Sequence, residues 1–130
     1  MFKISKNIKS VNVERLSNGE PIPLPRMLGT EYVGSDRYVV VCVSVDSPKR
    51  ISVAKLWDID ENNIDNHPNI EKDDEGIMWI KDLSKEKTYN TSKWSLRKNK
   101  RGREYWKEMN KDYSSTIHWG EANPYRDPDF

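Results

Sequence analysis

The densest run of chemically capable side chains lies at residues 93–107, Lys93-Trp94-Ser95-Leu96-Arg97-Lys98-Asn99-Lys100-Arg101-Gly102-Arg103-Glu104-Tyr105-Trp106-Lys107. It interleaves cations with aromatic rings, the combination a nucleic-acid surface needs. Lysine and arginine displace condensed counterions from phosphates, and a flat ring offers an unpaired base a platform to stack on. Arginine can also fork onto a phosphate or a guanine edge. The candidate nucleic-acid-binding residues are Lys93, Trp94, Arg97, Lys98, Lys100, Arg101, Arg103, Lys107 and Lys111, with Trp94 as the stacking residue and Trp106 read as core. The bland alternative is a solvated face that binds nothing.

A second reading of the same residues is catalytic. Metal-free RNA cleavage needs a base, an acid and a cation near the phosphate, roles open to His118, Glu104 or Glu108, and Arg101 or Arg103. Nothing in their spacing brings them together. His118, between Ile117 and Trp119, reads as a partly buried strand residue, so no catalytic residue is assigned and the chain reads as non-enzymatic. One cysteine and two distant histidines give no metal site. Residues 58–62 open like a calcium loop, but Asn63 and Asn69 stand where its glycine and glutamate are required. No glycine-rich phosphate loop is present and no cofactor is expected. Cys42, in the middle of an apolar run, reads as a small buried hydrophobe rather than a nucleophile.

A third class is an inhibitor or immunity-type protein that occupies another protein's site. The charge distribution suits it. Residues 58–75 carry eight acids against Lys72, and residues 93–111 carry eight Lys/Arg against Glu104 and Glu108, inside a net charge of +1. Complementary charged patches speed association, so the partner is nucleic acid or a protein. No run approaches the ~20 apolar residues of a membrane helix, and the lysine-rich start lacks the apolar stretch of an export signal. A reducing cytoplasm is the expected compartment.

The elements that must position these residues are built around residues 38–45, Tyr-Val-Val-Val-Cys-Val-Ser-Val, where β-branched side chains favour a central strand. Val39, Val41, Val43 and Val45 make one apolar face; Tyr38, Val40, Cys42 and Ser44 turn polar along the other. Residues 51–59 return as a hairpin partner with Ile51, Val53, Trp57 and Ile59 on one face, interrupted by Lys55. Residues 77–80 form a third core run. Residues 1–16 alternate loosely and suggest a first strand, followed by an Asn18-Gly19 turn. Pro21, Pro23 and Pro25 confine the next segment to a sheet edge. Thr30–Val33, between Gly29 and Gly34, reads as a linking turn. Tyr105, Trp106, Met109 and Tyr113 recur at helical spacing and predict a helix over residues 91–113. The five tryptophans exceed what so small a core needs. The predicted fold class is α+β: a small, strongly curled antiparallel sheet of four to six strands with one main C-terminal helix packed on it. Residues 1–120 form the single domain, and 121–130 an extended tail that orders only if it docks.

Overall fold

The structure is a computed structural model that describes residues 13–111 and 115–128. Eight strands carry the fold: β1 (Leu28–Val33), β2 (Asp36–Ser47), β3 (Arg50–Lys55), β4 (Ile70–Lys72), β5 (Met78–Ile80), β6 (Tyr89–Lys98), β7 (Glu104–Glu108) and β8 (Thr116–Trp119). Six of them form one antiparallel sheet in the order β7-β6-β3-β2-β1-β8, and β4 pairs with β5 apart from it. The edges β7 and β8 come back beside each other, so the sheet curls into a nearly closed barrel. The expected first strand within residues 1–16 lies mostly outside the described residues, as does Tyr113.

β2 is central, and its unbroken apolar run follows from burial on both faces. Val40 and Cys42 point into the barrel with Ile51, Val53, Trp94, Trp106, Ile117 and Trp119. Val39 and Val41 point outward under a second layer that includes Leu28, Ala54, Leu56, Ile59, Met78 and Ile80. Alternation would expose one of these faces; a strand covered twice has none to expose. Beyond this span Val45 is 41% exposed. β5 contributes Met78 and Ile80 to the second layer, while its Trp79 and the preceding Ile77 join Met27 in the barrel cluster, where Met27 bridges to Trp79. Four of the five tryptophans are core, and only Trp57 is open, at 48% exposure.

The α+β expectation with one main C-terminal helix is overturned. Among the described residues the one helical element is a single 3-10 turn, Leu83–Lys85. Residues 91–113 instead give the β6–β7 hairpin, with Lys98 opposite Glu104 and Leu96 opposite Trp106. The helical spacing of Tyr105, Trp106 and Met109 was coincidental. The governing period is two, with Trp94, Leu96 and Trp106 inward. Gly102 marks the turn: at φ +80 it takes the left-handed region that a non-glycine residue enters only at a cost.

Three smaller expectations also change. The linking turn at Thr30–Val33 is part of strand β1. The return strand ends at Lys55, so Trp57 leaves the sheet face on which Ile51 and Val53 remain. The tail is extended but docked as far as Asp127. Thr30 donates to the Glu121 carbonyl, Tyr125 exchanges two backbone hydrogen bonds with Arg37, and Asp127 N–H donates to Asp36. Within the tail Ala122 and Pro124 are buried.

Candidate functional site

The β6–β7 hairpin sorts the candidate cations by strand alternation. Lys93, Ser95 and Arg97 on β6 and Tyr105 and Lys107 on β7 share the outward face. There Arg97 stands opposite Tyr105, and Ser95 lies between Arg50 of β3 and Lys107. The turn joining the strands is held by Asn99, whose side-chain oxygen accepts from the backbone N–H groups of Arg101 and Arg103 at 2.9 Å each. Such a turn locks backbone while leaving its side chains in water. Lys98, Lys100, Arg101 and Arg103 are all exposed. Among the described residues no ion pair ties any of them.

The remaining candidates do not join this tip. Lys93 donates to Asp46 at 3.0 Å and to Ser52 at 2.8 Å, so its charge is already matched. That contact is the first cause, with the Ser52 and Ser44 hydroxyls, of the Asp46 carboxyl being lowered to about 2. Arg97 Nε donates to Ser95, and Lys107 Nζ to the Lys111 carbonyl. Lys111 itself lines a cavity together with Trp94 and Glu108. Trp94 is 1% exposed, its indole N–H donating to Ser92 inside the barrel, so its ring is out of a base's reach. Tyr105, 42% exposed beside Arg97, is the aromatic on the outward face.

The acidic segment forms no ion pair with the ribbon among the described residues. Two of its carboxylates hold their own loop: Asp60 accepts from Asn62 N–H, and Asp73 accepts from Glu75 N–H, Ile77 N–H and the Trp79 indole. Glu75 pairs with Arg15, outside the hairpin. The ribonuclease set is not assembled around His118, which is exposed on β8. Its ring meets Glu20 at 3.2 Å and the edge of Tyr32. Glu104 instead accepts from Ser17 N–H. Cys42 is buried, and desolvation pushes its thiol up to about 12, far from thiolate chemistry. Among the described residues no group of three or more His, Cys, Asp or Glu could hold a metal ion, and no helix is long and apolar enough to cross a membrane.

Motif reading missed a cavity of about 290 Å³ lined by residues of β1, β2, β3 and the β6–β7 hairpin. Its apolar floor is Val40, Val53 and Trp94, and its polar wall includes Glu31, Lys55, Ser92 and Glu108. The Glu31 side chain is 4% exposed; Ser115 donates to Oε2, and the Lys55 ammonium sits 3.0 Å from Oε1. That ammonium lies off the hydrogen-bonding direction, so Oε1 gains Coulombic attraction but accepts no hydrogen bond. Near it Trp57 stacks on Tyr89, rings 5.1 Å apart and 15° from parallel, and Lys55 lies over Tyr38. The signal for this site was Lys55 breaking an apolar alternation: a charge on a core face needs a buried partner.

Comparison with protein-family models, curated proteins and solved structures finds no match to this chain.

Proposed function

We propose that this protein is a non-enzymatic nucleic-acid-binding protein that grips the phosphate backbone with the β6–β7 ribbon. One observation carries the reading: Lys98, Lys100, Arg101 and Arg103 crowd a single turn, exposed and without a carboxylate partner among the described residues. Like charges gathered this closely repel one another, and phosphate relieves the repulsion while releasing counterions. A two-stranded ribbon is also narrow enough to enter a major groove. Arg97, Lys107 and Arg50 continue the positive face along the barrel wall, and Tyr105 adds an exposed ring. The basic ribbon is a better contact surface than the acidic segment, whose Asp60 and Asp73 carboxylates are taken up by its own turns. A reducing cytoplasm remains the proposed compartment, one in which the buried Cys42 stays a thiol.

Replacing Lys98, Lys100, Arg101 and Arg103 together by serine tests the reading, because all four are exposed turn or strand-end residues whose loss leaves the barrel core intact. Fluorescence anisotropy with labelled single- and double-stranded oligonucleotides should show binding by the parent and at least a tenfold loss in the variant. Equal binding by both proteins contradicts the proposal.

A further inference from the structure

Trp57 is the one tryptophan left in the open, 48% exposed, and the local chain pushes it there. Leu56 and Ile59 on either side are buried at 1% and 2%, and the Ile59 N–H donates to the Leu56 carbonyl, so the turn between them projects outward. The indole is nevertheless held. It stacks on Tyr89, ring centroids 5.1 Å apart, and the Tyr89 hydroxyl donates to Asp58. With Val33, Tyr38, Lys55 and Arg126, Trp57 lines a groove of about 430 Å³. By register Val33, Tyr38 and Lys55 lie on the same sheet face as Val40, toward strand ends beyond the filled interior. Unlike the cavity beside Glu31, this groove is lined by groups that solvent already reaches: Val33 is 42% exposed, and Arg126 is exposed too.

The charged side chains of the groove are cationic. Arg126 lies over the Tyr38 ring at 5.4 Å, and Lys87 lies over the Tyr89 ring at 5.2 Å. Among the described residues neither forms an ion pair, whereas Lys55 is matched by Glu31. The carboxylates of adjoining segments have donors of their own: Asp36 accepts from the Tyr38 hydroxyl and the Asp127 N–H, and Glu61 from the Arg126 N–H.

We propose that this groove takes an unpaired base of a single-stranded nucleic acid, its ring stacked on the Trp57 indole and its phosphate on Arg126. A flat ring covers the exposed indole, and the attached anion gives Arg126 the partner it lacks. An apolar protein side chain would cover the indole as well, but would desolvate the guanidinium without pairing it. A free nucleotide fits less well, because small-molecule sites enclose their ligands and this groove is open. A base in a strand needs no enclosure when its neighbours are held elsewhere. About 30 Å at strand rise separates Tyr89 from Lys98 along β6, within reach of the roughly 4–16 nucleotides that small single-strand-binding barrels cover. The site rests on the ribbon's nucleic-acid role: the ribbon supplies affinity for phosphates, and Trp57 adds the stacking that buried Trp94 cannot give.

Anisotropy titrations of the full chain with three labelled probes test the proposal: an oligothymidylate of about 15 nucleotides, an abasic strand of equal length, and a duplex. The parent should bind the oligothymidylate at least about fivefold more tightly than the abasic strand, the lower end of what one stacked base contributes. Trp57→Ala should lose that preference yet bind the duplex as the parent does, since paired bases are already stacked on one another. Arg126→Ser should make the salt dependence of oligothymidylate binding shallower by about 0.7, one single-strand phosphate contact, and an unchanged slope overturns that contact. Equal binding of the base-bearing and abasic strands by the parent overturns the proposal without recourse to any variant, as does a preference that Trp57→Ala retains. If all three probes bind with no preference for bases, the groove fails and the ribbon's function stands. If no probe binds at low salt, both fail. A ribbon variant with four serines that binds every probe more weakly but keeps the preference for bases supports the groove as a separate site.

Discussion

Lys55 and Glu31 form an ion pair across β2. The register sets Lys55 opposite Val40 and Glu31 opposite Tyr38, two positions apart on one face of that strand, and brings ammonium and carboxylate to 3.0 Å. Glu31 is the more deeply buried partner, its side chain 4% exposed against 24% for Lys55. Removing the lysine therefore leaves a desolvated carboxylate with only the Ser115 hydroxyl. Lys55→Met should destabilise the fold by about 3–5 kcal/mol, and the double replacement Lys55→Met with Glu31→Leu should recover most of that loss. Urea unfolding of the three proteins measures it, and a double variant no better than the single one excludes the pairing.

Gly29 is required by space rather than by backbone conformation. A Cβ there would stand 2.7 Å from Trp119 Cε3 and 2.9 Å from the His118 carbonyl, where β1 pairs with β8. Gly29→Ala should cost about 1–3 kcal/mol by overpacking the barrel. Gly102 is the opposite case, with nothing within 4 Å of a built Cβ but a φ of +80. Gly102→Ala should cost only about 1 kcal/mol, all of it local backbone strain. Thermal unfolding of the two variants should rank them in that order.

Asp46 gives the fold an acid-sensitive element. Its carboxyl is lowered to about 2 by hydrogen bonds from Lys93 first, then Ser52 and Ser44. A depressed folded-state value means the stabilisation is fully present above about pH 4, the ordinary carboxylate range, and is lost as pH falls toward 2. Asp46→Asn should therefore flatten the decline in stability between those pH values. An unchanged slope in chemical unfolding at pH 2–4 would show that the network carries no linked proton.

Cys42 should be inert in the native state. Burial pushes its thiol up to about 12, so at pH 8 a colour-forming disulfide reagent should react only after denaturant is added. Immediate stoichiometric reaction without denaturant would contradict its position inside the barrel.

How much of this was legible in the sequence differs by element. Residues 38–45 announced the central strand because a Val-rich run of that length has few other homes, and the hairpin into Ile51 and Val53 followed from it. Residues 91–113 misled because Tyr105, Trp106 and Met109 satisfy a period of three to four, while Trp94, Leu96 and Trp106 satisfy a period of two. A single chain does not say which period governs until its partner strand is known. The tryptophan surplus was likewise a packing need: a small curled barrel must fill its interior with large rings, and Trp79, Trp94, Trp106 and Trp119 do so. Glu31 was invisible because nothing local marks a buried charge whose partner lies 24 residues away. Lys55 was visible as a flaw in an apolar face, without its meaning.

The central claim is that the unpaired cations of the β6–β7 ribbon bind phosphates. The logarithm of the association constant for a duplex oligonucleotide, plotted against the logarithm of salt concentration, tests it most directly. Six ribbon cations, Arg97, Lys98, Lys100, Arg101, Arg103 and Lys107, predict a slope of about −5 when all engage, and Arg101→Ser with Arg103→Ser should make it shallower by about 2. A slope near zero, or no binding even at the lowest salt, would contradict the account.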